Sequence, residues 1–205
     1  MMTVSRAERH RIAVALKIST AKIVVSYNGI APSWLTPLPE SQTFAYDLIY
    51  VSNFVRHKGH RRFLEAIAGT RWRVLFVGAD FGERANIVQY AQRLGIDLTI
   101  REGLTQEELI AEYDASRIFV FPSELEGFGI PYIEARARGV PVIAQDLPVF
   151  RELQELVGGN LVDFDKPDQL KDALSKSLQE PRSRPDLEPF LWPKLARGLL
   201  TNLLH

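Results

Sequence analysis

Apolar residues in this chain come in short unbroken runs, separated by stretches with a helical period. Runs such as LIYVS (48–52), RVLFV (73–77) and IFVF (118–121) are apolar on both alternating faces. Central parallel strands read this way when helices cover both sides of a sheet. The pattern predicts strands over 22–26, 47–52, 73–77, 97–101, 118–121, 140–144 and 161–163, and helices over 58–68, 83–94, 105–113, 130–138, 149–156 and 168–179. Because the two alternate, the expected class is α/β: a doubly wound, mostly parallel, Rossmann-like sheet with helices on both faces. Ligands of such sheets bind beyond the carboxyl ends of the strands, so the segments after Val51, Val77, Arg101, Phe121 and Ala144 should line any site. At the N-terminus, Thr3-Val4-Ser5 reads as a cap for an amphipathic helix over 6–16, with no strand–helix unit before it. Near the C-terminus, the loop EPRSRPDLEP leads to a separate helix over 190–203, with Leu191, Leu195 and Leu199 in one apolar stripe.

Composition mainly excludes. The 205 residues suffice for one large α/β domain or two small ones. Lys plus Arg equals Asp plus Glu, 25 each, so no global charge points to nucleic acid. With no cysteine there are no disulfides, thiolate metal sites or cysteine nucleophile, which fits a reducing, cytoplasmic compartment. No apolar run approaches the ~20 residues of a membrane span. Peripheral attachment to the inner face of a membrane needs no span and stays open. His10, His57, His60 and His205 lack the spacing of a metal cluster, and no metal site is expected.

The most informative stretch is 122–144, PSELEGFGIPYIEARARGVPVIA. It places Glu126 and Glu134 across a strand-to-helix junction, with Gly127 and Gly129 at the junction and Pro131 in the first helical turn. Ile130, Ile133 and Ala137 are expected to face the sheet, which leaves Glu134 on the flank near the strand ends. Two carboxylates alone favour a plain reading, a capping acid and a solvated helix residue. The glycines, which allow close approach of a ligand to the backbone, shift the balance. Bare N–H groups at a helix start hold anions, and carboxylates only accept hydrogen bonds, so they suit hydroxyls. Phosphate together with hydroxyls describes a nucleotide-sugar. A second basic stretch, RHKGHRR at 56–62, falls where a helix should begin. Cations there oppose the helix dipole unless an anion sits between them. Gly78, at the end of RVLFV, is either a close loop near the nucleotide or a simple turn.

EGFGIPYIEARARGVPVIA resembles the signature of the retaining glycosyltransferases built from two facing Rossmann-like domains, the group that includes O-antigen mannosyltransferases. NGI at 28–30, LIYVSNFVRHKGHRRFLEAIA, VLFVG, LTQEELIAEYDASRIFVFPS and FLWPKLARGLL follow in the family's order. The resemblance implies that Glu134 binds the ribose hydroxyls, that Glu126 lies against the transferred sugar, and that the backbone of Gly127, Phe128, Gly129 and Ile130 meets sugar and diphosphate. It also implies Lys58 as the diphosphate cation and the region of Gly103 and Leu104 as the base site. Catalysis would rest on Glu126 and Lys58, with no cofactor beyond the nucleotide diphosphate sugar and with a glycan or lipid-linked acceptor. Where the family usually has Gly-Arg, this chain has Ser52-Asn53. One expected cation is thus replaced by Asn53, and Arg56 is the candidate substitute. The implied layout is a remnant of an acceptor domain at 1–20, a donor-binding domain at 21–180, and a loop with a crossing helix at 181–205. Because the acceptor half is missing, a separate N-terminal-half protein or self-association is an expected partner. A non-catalytic nucleotide-sugar-binding subunit is the alternative, and a sugar epimerase is a weaker one.

Overall fold

The computed structural model describes residues 1–39 and 43–203; His205 lies outside the described residues. The chain opens with strand β1 (Met2–Thr3), helix α1 (Arg6–Leu16) and strand β2 (Val24–Val25). There follow β3 (Tyr46–Val51), α2 (His60–Ala66), β4 (Arg73–Val77), α3 (Arg84–Leu94) and β5 (Asp97–Arg101). After α4 (Gln106–Asp114) come β6 (Ser116–Phe121), α5 (Ile130–Ala137), β7 (Val142–Gln145) and α6 (Pro148–Val157). The chain then runs through β8 (Asn160–Val162), α7 (Pro167–Ser177) and α8 (Trp192–Leu203).

Strands β3 to β8 form one parallel sheet in the order β5-β4-β3-β6-β7-β8. Leu48, Ile49 and Tyr50 of β3, Val74 to Phe76 of β4 and Ile118 to Val120 of β6 are all fully buried. Consecutive strand residues point to opposite faces, so both faces are covered. The helices pack in groups, α2 with α3 and α7, and α6 with α5 and α1, while α4 lies against β6. The doubly wound α/β fold read from the sequence is the fold observed. Its strand order reverses between β3 and β6, which places the loops after these two strands side by side at the carboxyl edge.

The structure corrects three local expectations. The strand predicted over 22–26 shrinks to two residues and pairs with Met2–Thr3 in a separate two-stranded parallel sheet, so Thr3 is a strand residue and Ser5 alone caps α1. The helix predicted from residue 58 starts at His60: Arg56–Lys58 form a 3-10 turn, and Gly59 at φ 70° breaks it from α2. Ile130 is 38% exposed rather than turned to the sheet, because it is the first residue of α5 at the loop edge; Ile133 and Ala137 are buried as expected. Among the described residues no helix is long and apolar enough to cross a membrane.

The loop before β3 is fastened by Arg138, which is 1% exposed. Its guanidinium donates to both Asp114 carboxylate oxygens at 2.9 and 2.7 Å and to the carbonyls of Trp34, Thr36 and Pro37 at 3.2, 3.0 and 3.3 Å. Removing a buried charge strands its partners in a water-poor site. Arg138→Ala should therefore lower unfolding stability by about 3 kcal/mol in urea denaturation; a loss well under ~1 kcal/mol would mean the network contributes little.

Candidate functional site

A cavity of about 540 Å³ opens at the carboxyl edge where the strand order reverses. The loop after β3 brings Ser52, Asn53 and Lys58 to it, and the loop after β6 brings Glu126 to Gly129. Ile130, Pro131 and Glu134 come from α5, and Gly78 follows β4. The two main loops interlock. The Glu124 N–H donates to the His57 carbonyl at 2.9 Å, Arg62 donates to the Pro122 carbonyl at 2.5 Å, and the Tyr50 hydroxyl donates to the Lys58 carbonyl at 2.9 Å. Gly59 makes this approach possible, since a Cβ there would lie 2.5 Å from the Pro122 carbonyl oxygen. Gly78 is also a close approach and not a simple turn: its Cβ would lie 2.0 Å from the Ser52 oxygen.

The ammonium of Lys58 and the carboxylate of Glu126 form an ion pair at 2.5 Å, with side chains 20% and 12% exposed. Each charge is largely withdrawn from water and is matched by the other. Helix α5 starts beside them at Gly129, φ 102°, with no side chain capping it. In its first turn Pro131 has no N–H and the Tyr132 N–H donates to the Gly129 carbonyl at 3.0 Å, which leaves the Ile130 N–H for a ligand, and the positive end of the helix dipole faces the loop that holds Glu126.

Glu134 has no such cation. Its carboxylate accepts from the Tyr113 hydroxyl at 3.2 Å. Burial lifts its pKa from 4.5 to about 7, opposed only by that hydrogen bond. Burial and the neighbouring Glu134 in turn push the Tyr113 hydroxyl far above its usual range. Beneath the Lys58 turn, His60 packs against Tyr50, Phe54 and Phe76 with both ring nitrogens unpaired. Burial, helped by Lys58, drives its pKa down to about 3, so the ring is neutral.

Of the residues singled out from the sequence, Lys58, Glu126, Glu134, Gly127, Phe128, Gly129, Ile130, Asn53 and Gly78 line this one cavity. Arg56 and Leu104 do not. Arg56 is exposed on its 3-10 turn and lines a separate cavity with His60, Arg61 and Glu83. Leu104 precedes the Thr105–Glu108 capping box of α4 and packs on the core. Five positions further on, Leu109 takes its place at the cavity. Asn53 brings no charge, and its Oδ1 accepts from the Ala79 N–H at 3.3 Å, tying two loops together. Sequence reasoning missed Val4, Asn28 and Leu109 as lining residues and Tyr113 as the partner of Glu134. The capping box in LTQEEL was the one readable signal, because it fixes where α4 starts.

A pH test isolates Glu134. Its folded pKa lies above its unfolded one, so the stability it contributes is present below about pH 4.5 and is lost as pH rises through about 7. A neutral Gln at 134 escapes that loss. The stability of Glu134→Gln relative to wild type should rise between pH 4.5 and 7 and level off above, by on the order of 2 kcal/mol. A difference independent of pH, followed by urea denaturation, would show that Glu134 is not desolvated.

The family profile described as "Glycosyl transferases group 1" matches residues 40–189. The serotype-specific mannosyltransferase WbdA of Escherichia coli is 29% identical over 172 residues, covering 78% of this chain and 21% of that protein. The O-antigen chain mannosyltransferase RfbU of Salmonella typhimurium is 29% identical over 161 residues, covering 75% of this chain and 44% of that one. This chain thus spans less than half the length of either relative. Among solved structures, Anabaena Alr3699/HepE in complex with UDP and glucose superposes with a TM-score of 0.81 at 16% identity, over 99% of this chain and 62% of its own.

Proposed function

Since the chain belongs to the glycosyl transferases group 1 family, we propose that it is the donor-binding half of a retaining glycosyltransferase. The reaction moves a hexose from a nucleotide diphosphate sugar to a hydroxyl of a glycan or lipid-linked acceptor. Mannose is the sugar favoured by the likeness to two mannosyltransferases. One observation carries the reading: Lys58, Glu126, Glu134 and an uncapped, glycine-opened helix start share a single cavity at the reversal of strand order.

Each part has a task that its chemistry suits. The diphosphate takes Lys58 and the N-terminus of α5, a cation and a dipole aimed at the same place. Lys58 is already fixed by Glu126, so the ligand shares the ammonium rather than ordering it from solution. Sugar hydroxyls then offer Glu126 donors in exchange. Glu134, as carboxylate, accepts from the ribose hydroxyls. During transfer negative charge builds on the departing diphosphate. Lys58 and the helix start stabilise that charge without having to reorganise, and Glu126 holds the sugar in a reactive orientation. The uncharged Asn53 leaves Lys58 and the helix start as the main electrostatic supports.

Titration calorimetry with GDP, UDP and GDP-mannose tests this. The wild type should bind a nucleoside diphosphate, and Lys58→Ala and Glu134→Ala should each weaken binding about tenfold or more, the size of a lost charge-assisted hydrogen bond. Absence of binding by the wild type, or undiminished affinity in both variants, would refute the reading.

A further inference from the structure

We propose that Ser5 is a positioning residue for the glycine-rich loop, acting through the carbonyl of Gly127; this rests on the donor-site reading above. Ser5 is fully buried. Its hydroxyl accepts from the Glu8 N–H at 3.0 Å as the N-cap of α1, and it donates to the Gly127 carbonyl at 2.8 Å, across 122 residues of sequence. A hydroxyl has one proton to give, and here that proton goes to the donor loop.

Gly127 requires such a hold. Unlike Gly59, Gly78 and Gly129, it is not needed for steric reasons: a Cβ there would meet nothing closer than Val4 Cγ2 at 3.8 Å. Its conformation is not imposed by close packing, and glycine is the residue freest to change it. The Ser5 hydrogen bond supplies the constraint. All peptide bonds in the described chain are trans. Within a trans peptide plane, C=O and N–H point in opposite directions. Fixing the Gly127 carbonyl therefore fixes the direction in which the Phe128 N–H is presented.

The support behind Ser5 is itself tied down by hydrogen bonds. Glu152, 5% exposed, accepts from the N–H groups of Arg6 and Ala7 at 2.9 and 3.1 Å, a carboxylate on the positive end of α1. It also accepts from the Tyr27 hydroxyl at 2.8 Å, and the Tyr27 ring stacks on Phe128 with centroids 5.7 Å apart. One carboxylate thus anchors both the helix start that carries Ser5 and the ring that lies against Phe128. The Gly127–Phe128 peptide is held at its carbonyl by Ser5 and at the next side chain by Tyr27. Residues near the N-terminus, remote in sequence from the loop, set its geometry.

The test compares Ser5→Gly with Arg6→Ala. Ser5→Gly loses both the side-chain cap to Glu8 and the donor to Gly127, but glycine caps a helix nearly as well as serine, so the variant should keep a near wild-type urea midpoint and show its main effect at the Gly127 loop. Arg6→Ala removes the side-chain ion pairs of the same helix turn with Glu152 and Glu155 but does not touch Gly127. In calorimetry with GDP and UDP, Ser5→Gly should weaken binding about three- to tenfold, the size of one hydrogen bond, and Arg6→Ala less than twofold. Should Ser5→Gly unfold, Ser5→Ala measured alongside Arg6→Ala serves the same comparison. Wild-type affinity in the Ser5 variant, or equal weakening in both variants, overturns the proposal and leaves Ser5 a helix cap. If the wild type binds neither nucleotide, the donor-site reading itself fails and this inference falls with it.

Discussion

Where the strand order of the sheet reverses, the loops leaving β3 and β6 must run side by side, and the rest of the site depends on how closely they can do so. Contact between them is made by backbone: His57 accepts from Glu124, and Gly59 lies against the Pro122 carbonyl where no side chain would fit. Once the loops are locked, Lys58 and Glu126 have little choice but to meet. The ion pair is thus a consequence of topology and of one left-handed glycine. It is also what keeps two poorly solvated charges tolerable, since a buried charge without a partner is costly.

Two carboxylates in the same cavity are therefore in different electrostatic conditions. Glu126 is matched by a cation at 2.5 Å, whereas Glu134 has only a phenolic hydroxyl and is pushed to about 7. A ligand that brings both anionic phosphates and neutral hydroxyls fits this division. In the proposed donor complex its charge would go to Lys58 and the start of α5, and its hydroxyls to the acids. The chain belongs to the glycosyl transferases group 1 family, and its α/β fold is shared with the solved structure of Anabaena Alr3699/HepE.

Much of this was legible because the signals were local. β4, β5 and α1 span the residues that the pattern predicted for them. Glu126 and Glu134 stood out as two acids across a strand-to-helix junction that carries two glycines, and Lys58 through the family resemblance and its place in the basic stretch 56–62. What escaped depends on contacts that no window of sequence contains. Arg138 looks like one more charged residue in EARARG, yet it is buried and fastens residues about a hundred positions away. Ser5 reads as a helix cap, which it is, but its second hydrogen bond reaches Gly127. The overlong strand at 22–26 failed because its apolar residues have only a two-residue partner. Arg56 was credited on proximity in sequence, and a 3-10 turn directs it to another cavity.

The most direct measurement is a two-dimensional amide NMR titration of the labelled chain with GDP and UDP. The account predicts that the largest shifts fall on Gly127, Phe128, Gly129 and Ile130, with smaller ones at Asn53, Lys58 and Gly78. Shifts confined to other surfaces, or none at saturating nucleotide, would contradict it.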